Sequence, residues 1–317
     1  MLKAYSDSGK DYLDSGVIDK AIFDKEGKLM SEFATAHPTP KIKSACIFCG
    51  SETTWFDMVD DVYYQRCSNC YSIFASVSTG ITDLYNSYQP LIDFRKSEEY
   101  QSSATQRRAG IWNDLLFWLE FRLARYSTIS LGPDKPDLPA GLDIIDIDNR
   151  FSGFSEMIKN AKFCGSYNTA EPADVVLFFD KFRGLSDPAK TLSQFRTKLK
   201  DNGLLVMNLR AGSGFDVLTL KGCRDILTPY EVICLPSIEG LEIILNKTGF
   251  EILETSSTGT LDVKYVQQNI ECLRENDLFV HYLMKKADKS DFAEFQQFLQ
   301  KSGMSSHARV IARKRPV

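Results

Sequence analysis

Two pairs of cysteines have the spacing of a metal site. Residues 50–66 lie between the pairs, which are Cys46-Ile-Phe-Cys49 and Cys67-Ser-Asn-Cys70. Each Cys-x-x-Cys turn can present two thiolates to one ion, and zinc prefers four soft ligands at the corners of a tetrahedron. The sequence therefore predicts a zinc ribbon over residues 44–76, with all four thiolates as ligands.

The predicted zinc site is structural rather than catalytic. Four thiolates complete a tetrahedron and leave no position for water or substrate, and two pairs at this spacing disfavour a redox role. Gly50 suits the tight turn after the first pair. We expect Trp55, Tyr63 and Tyr64 to pack the ribbon against its neighbour, although a binding surface is an alternative. The remaining cysteines are expected to be ordinary buried residues: Cys164, Cys223, Cys234 and Cys272.

The composition excludes several function classes. The chain has 317 residues, a formal net charge of −4 and 43% hydrophobic residues. This charge disfavours a general nucleic-acid binder, which needs a basic face for phosphates. The sequence has no apolar run long enough to span a bilayer and no signal-peptide core at its start. We therefore expect a cytoplasmic protein.

The elements that would position a site fall into four segments. Residues 1–43 are polar and predict an N-terminal arm with a short helix. The ribbon follows over 44–76. Residues 77–140 predict a linker with local turns and then a long helix over 100–126, whose apolar residues recur at helical spacing. The three prolines of residues 132–141 mark a domain boundary, and 141–317 form the last segment.

The last segment alternates strands with helices. Strands are predicted at 142–147, 161–167, 173–180, 203–209 and 250–257, and a final strand at 305–314. Helices are predicted near 153–161 and at 187–203 and 237–250, with a helical insertion over about 262–302. Ser237 is the expected N-cap of the 237–250 helix. This alternation predicts an α/β fold with a mainly parallel sheet and helices on both faces.

Several stretches in this order resemble class I S-adenosylmethionine-dependent methyltransferases. They are residues 173–209, 213–220, 227–266 and 298–314. Together with the ribbon, they are similar to the bacterial sugar and surface-polysaccharide branch of that family. The resemblance implies a Rossmann-like sheet whose last strand, 305–314, lies antiparallel between two parallel ones. It also implies S-adenosylmethionine as cofactor.

The cofactor turn departs from the family pattern. The family has an acidic residue, three alternating glycines and an aromatic, and glycine lets the backbone approach the ligand closely. The resemblance aligns Asp146 as the anchor and Phe154 as the aromatic. The three glycine positions hold Asp148, Arg150 and Ser152. These side chains would crowd the cofactor, so its binding is doubtful.

Two further departures concern the ribose and the catalytic base. The 155–173 segment is short for the helix-strand-helix that the family places there, and no acid follows its strand before Glu171. The family motif Pro-x-Glu-His supplies a histidine base, whereas this chain has Pro229-Tyr230-Glu231-Val232. Glu231 is the weak remaining candidate. The isolated histidines His37, His281 and His307 are expected to be packing or surface residues.

Three hypotheses follow from these departures. The first is a catalytically inactive, methyltransferase-like protein that acts as a binding or scaffolding subunit for another protein. The second is an active methyltransferase on a sugar or other small molecule, which the intact Ser213–Asp216 and Thr258–Val263 stretches favour. The third is a protein that binds a different ligand in the pocket where the family binds its cofactor, with Arg150 binding a phosphate at the start of a helix.

Overall fold

The computed structural model describes residues 20–77, 79–131, 142–147, 162–163 and 171–316. The expected helix near 153–161 lies outside these residues, and so does Cys164. Most of the cofactor turn is also outside them, including Asp148, Arg150, Ser152 and Phe154. Asp146 is the one residue of that turn's pattern that the structure describes.

The cysteine ribbon, residues 44–76, is built on an antiparallel hairpin. Strands β1 (Thr53–Val59) and β2 (Val62–Cys67) pair as expected, and β3 (Ile73–Ala75) adds to β2. A fourth strand, β8 (Cys234–Leu235), comes from the carboxyl-terminal half of the chain and pairs with β3. The ribbon sheet therefore includes residues from both halves of the sequence.

The N-terminal half is more helical than the sequence suggested. The described part of the arm forms α1 (Lys20–Ala36), and Met30, Phe33 and Ala34 on this helix are buried. The prediction of a linker with local turns before the long helix is wrong, because α2 (Thr79–Asn86) and α3 (Gln89–Lys96) occupy that part of the chain. Tyr85, Leu91 and Phe94 on these helices are buried. Such short helices are stabilised by tertiary packing of their apolar side chains rather than by local propensity.

The long helix is confirmed as α4 (Glu98–Leu131). It packs on one face of the large sheet through Leu115, Leu119 and Leu123, which recur at helical spacing and are buried. Arg122 Nε lies 2.9 Å from Glu254 Oε1 in the sheet, and both side chains are almost fully buried. This ion pair fixes α4 against a sheet edge.

The large sheet has the predicted mixed topology. Its strands are β4 (Asp143–Asp146), β5 (Lys162–Phe163), β6 (Ala173–Phe179), β7 (Leu199–Arg210), β9 (Phe250–Ser257) and β10 (His307–Lys314). They lie side by side in the order β5-β4-β6-β7-β10-β9. The β4, β5, β6 and β7 ladders are parallel, whereas β10 runs antiparallel to both β7 and β9. The expected inner antiparallel position of the last strand is confirmed.

The helices around this sheet largely follow the sequence. They are α5 (Pro188–Thr197), α6 (Phe215–Thr219), α7 (Ile238–Lys247), α8 (Asp262–Gln268), α9 (Leu278–Lys286) and α10 (Lys289–Lys301). Ser237 caps α7 by accepting a 2.9 Å hydrogen bond from the amide of Gly240. The helix predicted to continue to residue 203 is too long, because β7 begins at Leu199. None of the described helices is long and apolar enough to cross a membrane.

The ribbon and the large sheet share a hydrophobic core. Phe48, Phe74 and the buried ribbon cysteines belong to the same cluster as Val176 and Phe178 of β6. A second cluster joins α1, the ribbon hairpin, α2 and α3 to the 217–235 segment. The ribbon is therefore integrated with the α/β domain through shared buried side chains.

Candidate functional site

The four ribbon cysteines converge on one point. Their sulfur atoms all lie within 4.8 Å of one another, with Cys46 Sγ 3.6 Å from Cys70 Sγ and Cys49 Sγ 3.4 Å from Cys67 Sγ. Four sulfurs bonded to zinc at about 2.3 Å in a tetrahedron lie about 3.8 Å apart. The cluster thus has the size and the donor chemistry for a zinc ion.

Two equivalent backbone turns hold the thiols. The residue after each Cys-x-x-Cys has a left-handed conformation, with φ of 81° at Gly50 and 61° at Tyr71. The amides of Cys46 and Cys67 donate to the carbonyl oxygens of Ser51 and Ser72, both at 2.9 Å. Backbone amides also donate to the sulfurs of Cys46 and Cys67, at 3.4 Å from Phe48 and 3.3 Å from Asn69. Such bonds stabilise the thiolate form that a metal requires.

The sulfur pairs also affect each other's ionisation. The hydrogen bond from Cys46 lowers the pKa of Cys70 to about 5. The same hydrogen bond, together with burial, raises the pKa of Cys46 far above its usual range. The pair thus shares one proton, which a bound cation would displace.

A second group of functional side chains lies at the carboxyl ends of the parallel strands. Asp146 ends β4 and is buried. Asp180 follows β6 in a left-handed conformation with φ of 59°, and its carboxylate accepts a 2.9 Å hydrogen bond from Asn208 Nδ2. Arg210 ends β7. Ligands of open α/β sheets bind at this edge, and a strained non-glycine residue is common at such sites.

A cavity of about 550 Å³ opens at this edge. Its lining comes from α1, α3, the start of α4, the turn after β6, the end of β7, the 224–231 loop and α8. Most of the side chains around it are charged: Glu26, Arg95, Asp180, Lys181, Arg183, Arg210, Arg224, Asp225 and Glu231. The N-terminal arm therefore contributes to the candidate site, a role that the sequence gave no signal for.

The Pro229–Val232 turn directs the side chains of Glu231 and Val232 to opposite sides of the backbone. Glu231 faces the cavity, where its Oε1 accepts hydrogen bonds of 2.9 Å from Tyr85 and 2.6 Å from Arg95. Burial opposes ionisation, but Arg95 and Arg183 lower the pKa of Glu231 below its usual range, so it is a carboxylate at neutral pH. Val232 is buried in the second apolar cluster. The position at which the family places its catalytic histidine is therefore occupied in this chain by a residue of the hydrophobic core.

Neighbouring Tyr230 explains the shape of this turn. It adopts a left-handed conformation with φ of 63°, which is unusual for a bulky residue. Its ring packs against Phe33 of α1 and Tyr85 of α2, and its hydroxyl donates to the carbonyl oxygen of His37. Contacts between distant segments thus hold Glu231 at the cavity.

Three stretches that are far apart in the sequence meet at the start of β10: residues 213–216, 258–263 and 305–314. Asp262 accepts hydrogen bonds from the amide of Ser306 (2.6 Å) and the hydroxyl of Ser305 (2.7 Å). Gly214 lies so close to Ser306 that a Cβ there would be 2.4 Å from its Cα. This packing fixes the position of His307, which follows directly.

His307 was expected to be a packing or surface residue, and the structure gives it a more specific place. It begins β10 and pairs with Arg210 across the ladder. The residue is exposed, and protein atoms packed around the ring, together with the charge of Arg210, lower its pKa and favour the neutral imidazole. Since a single isolated histidine carries no spacing pattern, the sequence could not distinguish it from a surface residue.

One comparison with known proteins assigns the α/β region by its sequence. A family model described as a methyltransferase domain matches residues 99–255, which include the parallel strands and most of α4 and β9. The chain contains a methyltransferase-like domain. No curated protein sequence matches the chain.

Solved methyltransferases are also among the similar structures. The plantazolicin methyltransferase BpumL, in complex with a triazolic desmethylPZN analog and SAH, is 12% identical, with a TM-score of 0.42 over 74% of this chain and 96% of that one. An S-adenosylmethionine-dependent methyltransferase from Mesorhizobium loti is 10% identical, with a TM-score of 0.34 over 55% of this chain and 92% of that one. At these values, the fold assignment rests on the strand order and the family match.

Proposed function

We propose that this methyltransferase-like protein is catalytically inactive and acts as a binding or scaffolding subunit. One observation carries the proposal: Asp148, Arg150 and Ser152 occupy the glycine positions of the cofactor turn. Glycine at these positions allows close backbone approach to the ligand, and any side chain reduces the space. By the resemblance stated above, the setting is bacterial sugar or surface-polysaccharide biosynthesis in the cytoplasm.

The burial of Val232 supports the same conclusion. A histidine at this position in the family can accept a proton from substrate, whereas valine cannot. The side chain lies among apolar residues with 1% exposure. Two parts of a methyl-transfer site, the cofactor turn and the base, are thus altered by independent substitutions.

Calorimetric titration with S-adenosylmethionine and S-adenosylhomocysteine tests this proposal. We expect no binding in the micromolar range, because each lost polar contact costs about 1–3 kcal/mol and about 1.4 kcal/mol changes affinity tenfold. An active class I methyltransferase titrated under the same conditions provides the positive control. A micromolar dissociation constant for either compound would overturn the proposal.

His307 favours a second candidate function, an active methyltransferase with an atypical cofactor site. A neutral imidazole beside Arg210 at the carboxyl edge of the sheet is chemically able to accept a proton from a small-molecule substrate. If the titration shows micromolar binding, a His307→Asn variant distinguishes the roles. It should retain cofactor affinity and lose methyl transfer, whereas the wild-type rate should fall as the pH drops through the pKa of the histidine.

We also propose that Cys46, Cys49, Cys67 and Cys70 bind one structural zinc ion. The support is the tetrahedral spacing of the sulfurs and the two equivalent turns around them. Elemental analysis of protein purified without chelator should give one zinc per chain. A metal-free, fully folded protein would contradict the proposal. Closed thiolate sites belong to reducing compartments, which agrees with the proposed cytoplasmic location.

A further inference from the structure

The charged cavity contains five cations, and three of them are neutralised by the protein itself. Arg95 pairs with Glu26 at 2.7 Å and with Glu231 at 2.6 Å. Arg210 pairs with Asp216 at 2.9 Å, and Arg224 pairs with Asp60 at 2.7 Å. These pairs hold the walls of the cavity together.

The other two cations, Lys181 and Arg183, have no such partner. Across the part of the chain that the structure describes, neither side chain makes a salt bridge or a side-chain hydrogen bond. Lys181 is exposed and Arg183 is half-buried. Both lie in the lining of the cavity, so their charges remain available there.

The backbone between β6 and α5 fixes these two cations. Residues Phe182–Gly184 form a 3-10 turn, and the ring of Phe182 is buried in the core between them. The amide of Lys181 donates to Phe179 at 2.8 Å, and the carbonyl oxygen of Arg183 accepts from the amide of Ile233 at 2.6 Å. The two side chains therefore start from a rigid turn, which reduces the entropy lost when they bind a ligand.

Three of the four acids in the lining accept hydrogen bonds from other protein groups. Glu26 and Glu231 share Arg95, and Asp180 accepts from Asn208. Burial raises the pKa of Asp225, and the charge of Arg224 opposes that rise. Arg183 influences Glu231 electrostatically, but that carboxylate already accepts two hydrogen bonds. Among the described residues, Lys181 and Arg183 are thus the lining cations that no salt bridge engages, and their shared turn provides a local positive charge at the cavity.

We propose that this cavity binds a small molecule through an oxyanion group, a phosphate or a carboxylate, held by Arg183 and Lys181. A guanidinium matches both groups by forming two parallel hydrogen bonds. A volume of about 550 Å³ accommodates a small-molecule ligand. This inference rests on the proposed binding function, because it names the class of ligand that the retained site recognises.

Calorimetric titration of the full chain with inorganic pyrophosphate and with malonate distinguishes the two oxyanions, and glucose is the uncharged control. We expect one oxyanion to bind and glucose not to bind. Arg183→Gln should weaken that binding about tenfold or more, since a charged hydrogen bond is lost. Arg315→Gln is the matched control, because Arg315 is exposed and follows β10 at the opposite end of the sheet; its affinity should be unchanged.

The results are independent of the cofactor titration. Absence of binding by both oxyanions, or binding that Arg183→Gln leaves undiminished, would overturn the inference whatever S-adenosylmethionine does. Micromolar S-adenosylmethionine binding, in contrast, would overturn only the proposed function. Lys181→Ala, at an exposed side chain, provides a second variant if Arg183→Gln does not fold, and it should also weaken oxyanion binding.

Discussion

The hydroxyl of Tyr64 in the ribbon donates a 3.0 Å hydrogen bond to the carbonyl oxygen of Val232. It also lies 3.3 Å from the carbonyl oxygen of Leu227, and the Tyr64 side chain is fully buried. The ribbon hairpin therefore supports the loop that carries Glu231 into the cavity, although more than 160 residues separate the two segments.

Removal of this hydroxyl should destabilise the protein. Tyr64→Phe leaves a buried carbonyl oxygen without its donor, which costs about 1–3 kcal/mol. Urea unfolding measures the loss. Tyr71→Phe is the control, because Tyr71 is 48% exposed and its change should have little effect. Equal stability of the two variants would show that Tyr64 contributes only packing.

Loss of the proposed zinc ion should destabilise the whole protein and not the ribbon alone. Cys67→Ser removes one ligand from a cluster that shares its core with β6 and α7. We expect lower zinc content and one unfolding transition at a lower temperature, by about 2–4 °C for each kcal/mol lost. Cys272→Ser, outside the ribbon, should change neither. A variant with two transitions, the later one at the wild-type temperature, would mean that the ribbon unfolds independently.

The Glu231 ion pair should make stability depend on pH. Glu231→Gln is expected to cost about 1–2 kcal/mol at pH 7, through the weakened bonds to Arg95 and Tyr85. The pKa of Glu231 is lowered from 4.5 in the folded protein. Its contribution is therefore complete above the unfolded-state pKa and disappears as the pH falls through the lower folded-state value.

Unfolding free energies of the wild type and Glu231→Gln should accordingly converge below pH 4.5. Glu242→Gln, at an exposed position on α7, serves as the control and should match the wild type at every pH. A difference that stays constant as the pH falls would show that the carboxylate charge is not responsible.

Close backbone approach at the start of β10 makes Gly214 intolerant of substitution. An added Cβ would lie 2.4 Å from Ser306 Cα and 2.6 Å from its backbone nitrogen. Gly214→Ala should therefore cost about 2–3 kcal/mol, measured by urea unfolding. Gly80→Ala in α2 meets nothing within 4 Å and should be neutral or stabilise by up to about 1 kcal/mol. A tolerated Gly214→Ala would mean that the 305–307 turn moves easily.

Local patterns in the sequence determined much of this protein. The Cys-x-x-Cys spacing predicted the two turns that bring the thiols together, because each turn depends only on residues next to it. Apolar runs such as 173–180 predicted buried strands, and helical spacing predicted α4. The resemblance to methyltransferases placed the last strand between β7 and β9.

Tertiary structure decided the rest, since it depends on contacts between residues far apart in the chain. The short helices α2 and α3 have weak local signals and are stabilised by packing against α1 and the 217–235 segment. The integration of the ribbon with the sheet required the pairing of β3 with β8. Only folding brings Arg183, Arg95 and Glu231 to one cavity, because no spacing rule connects residues on three different elements.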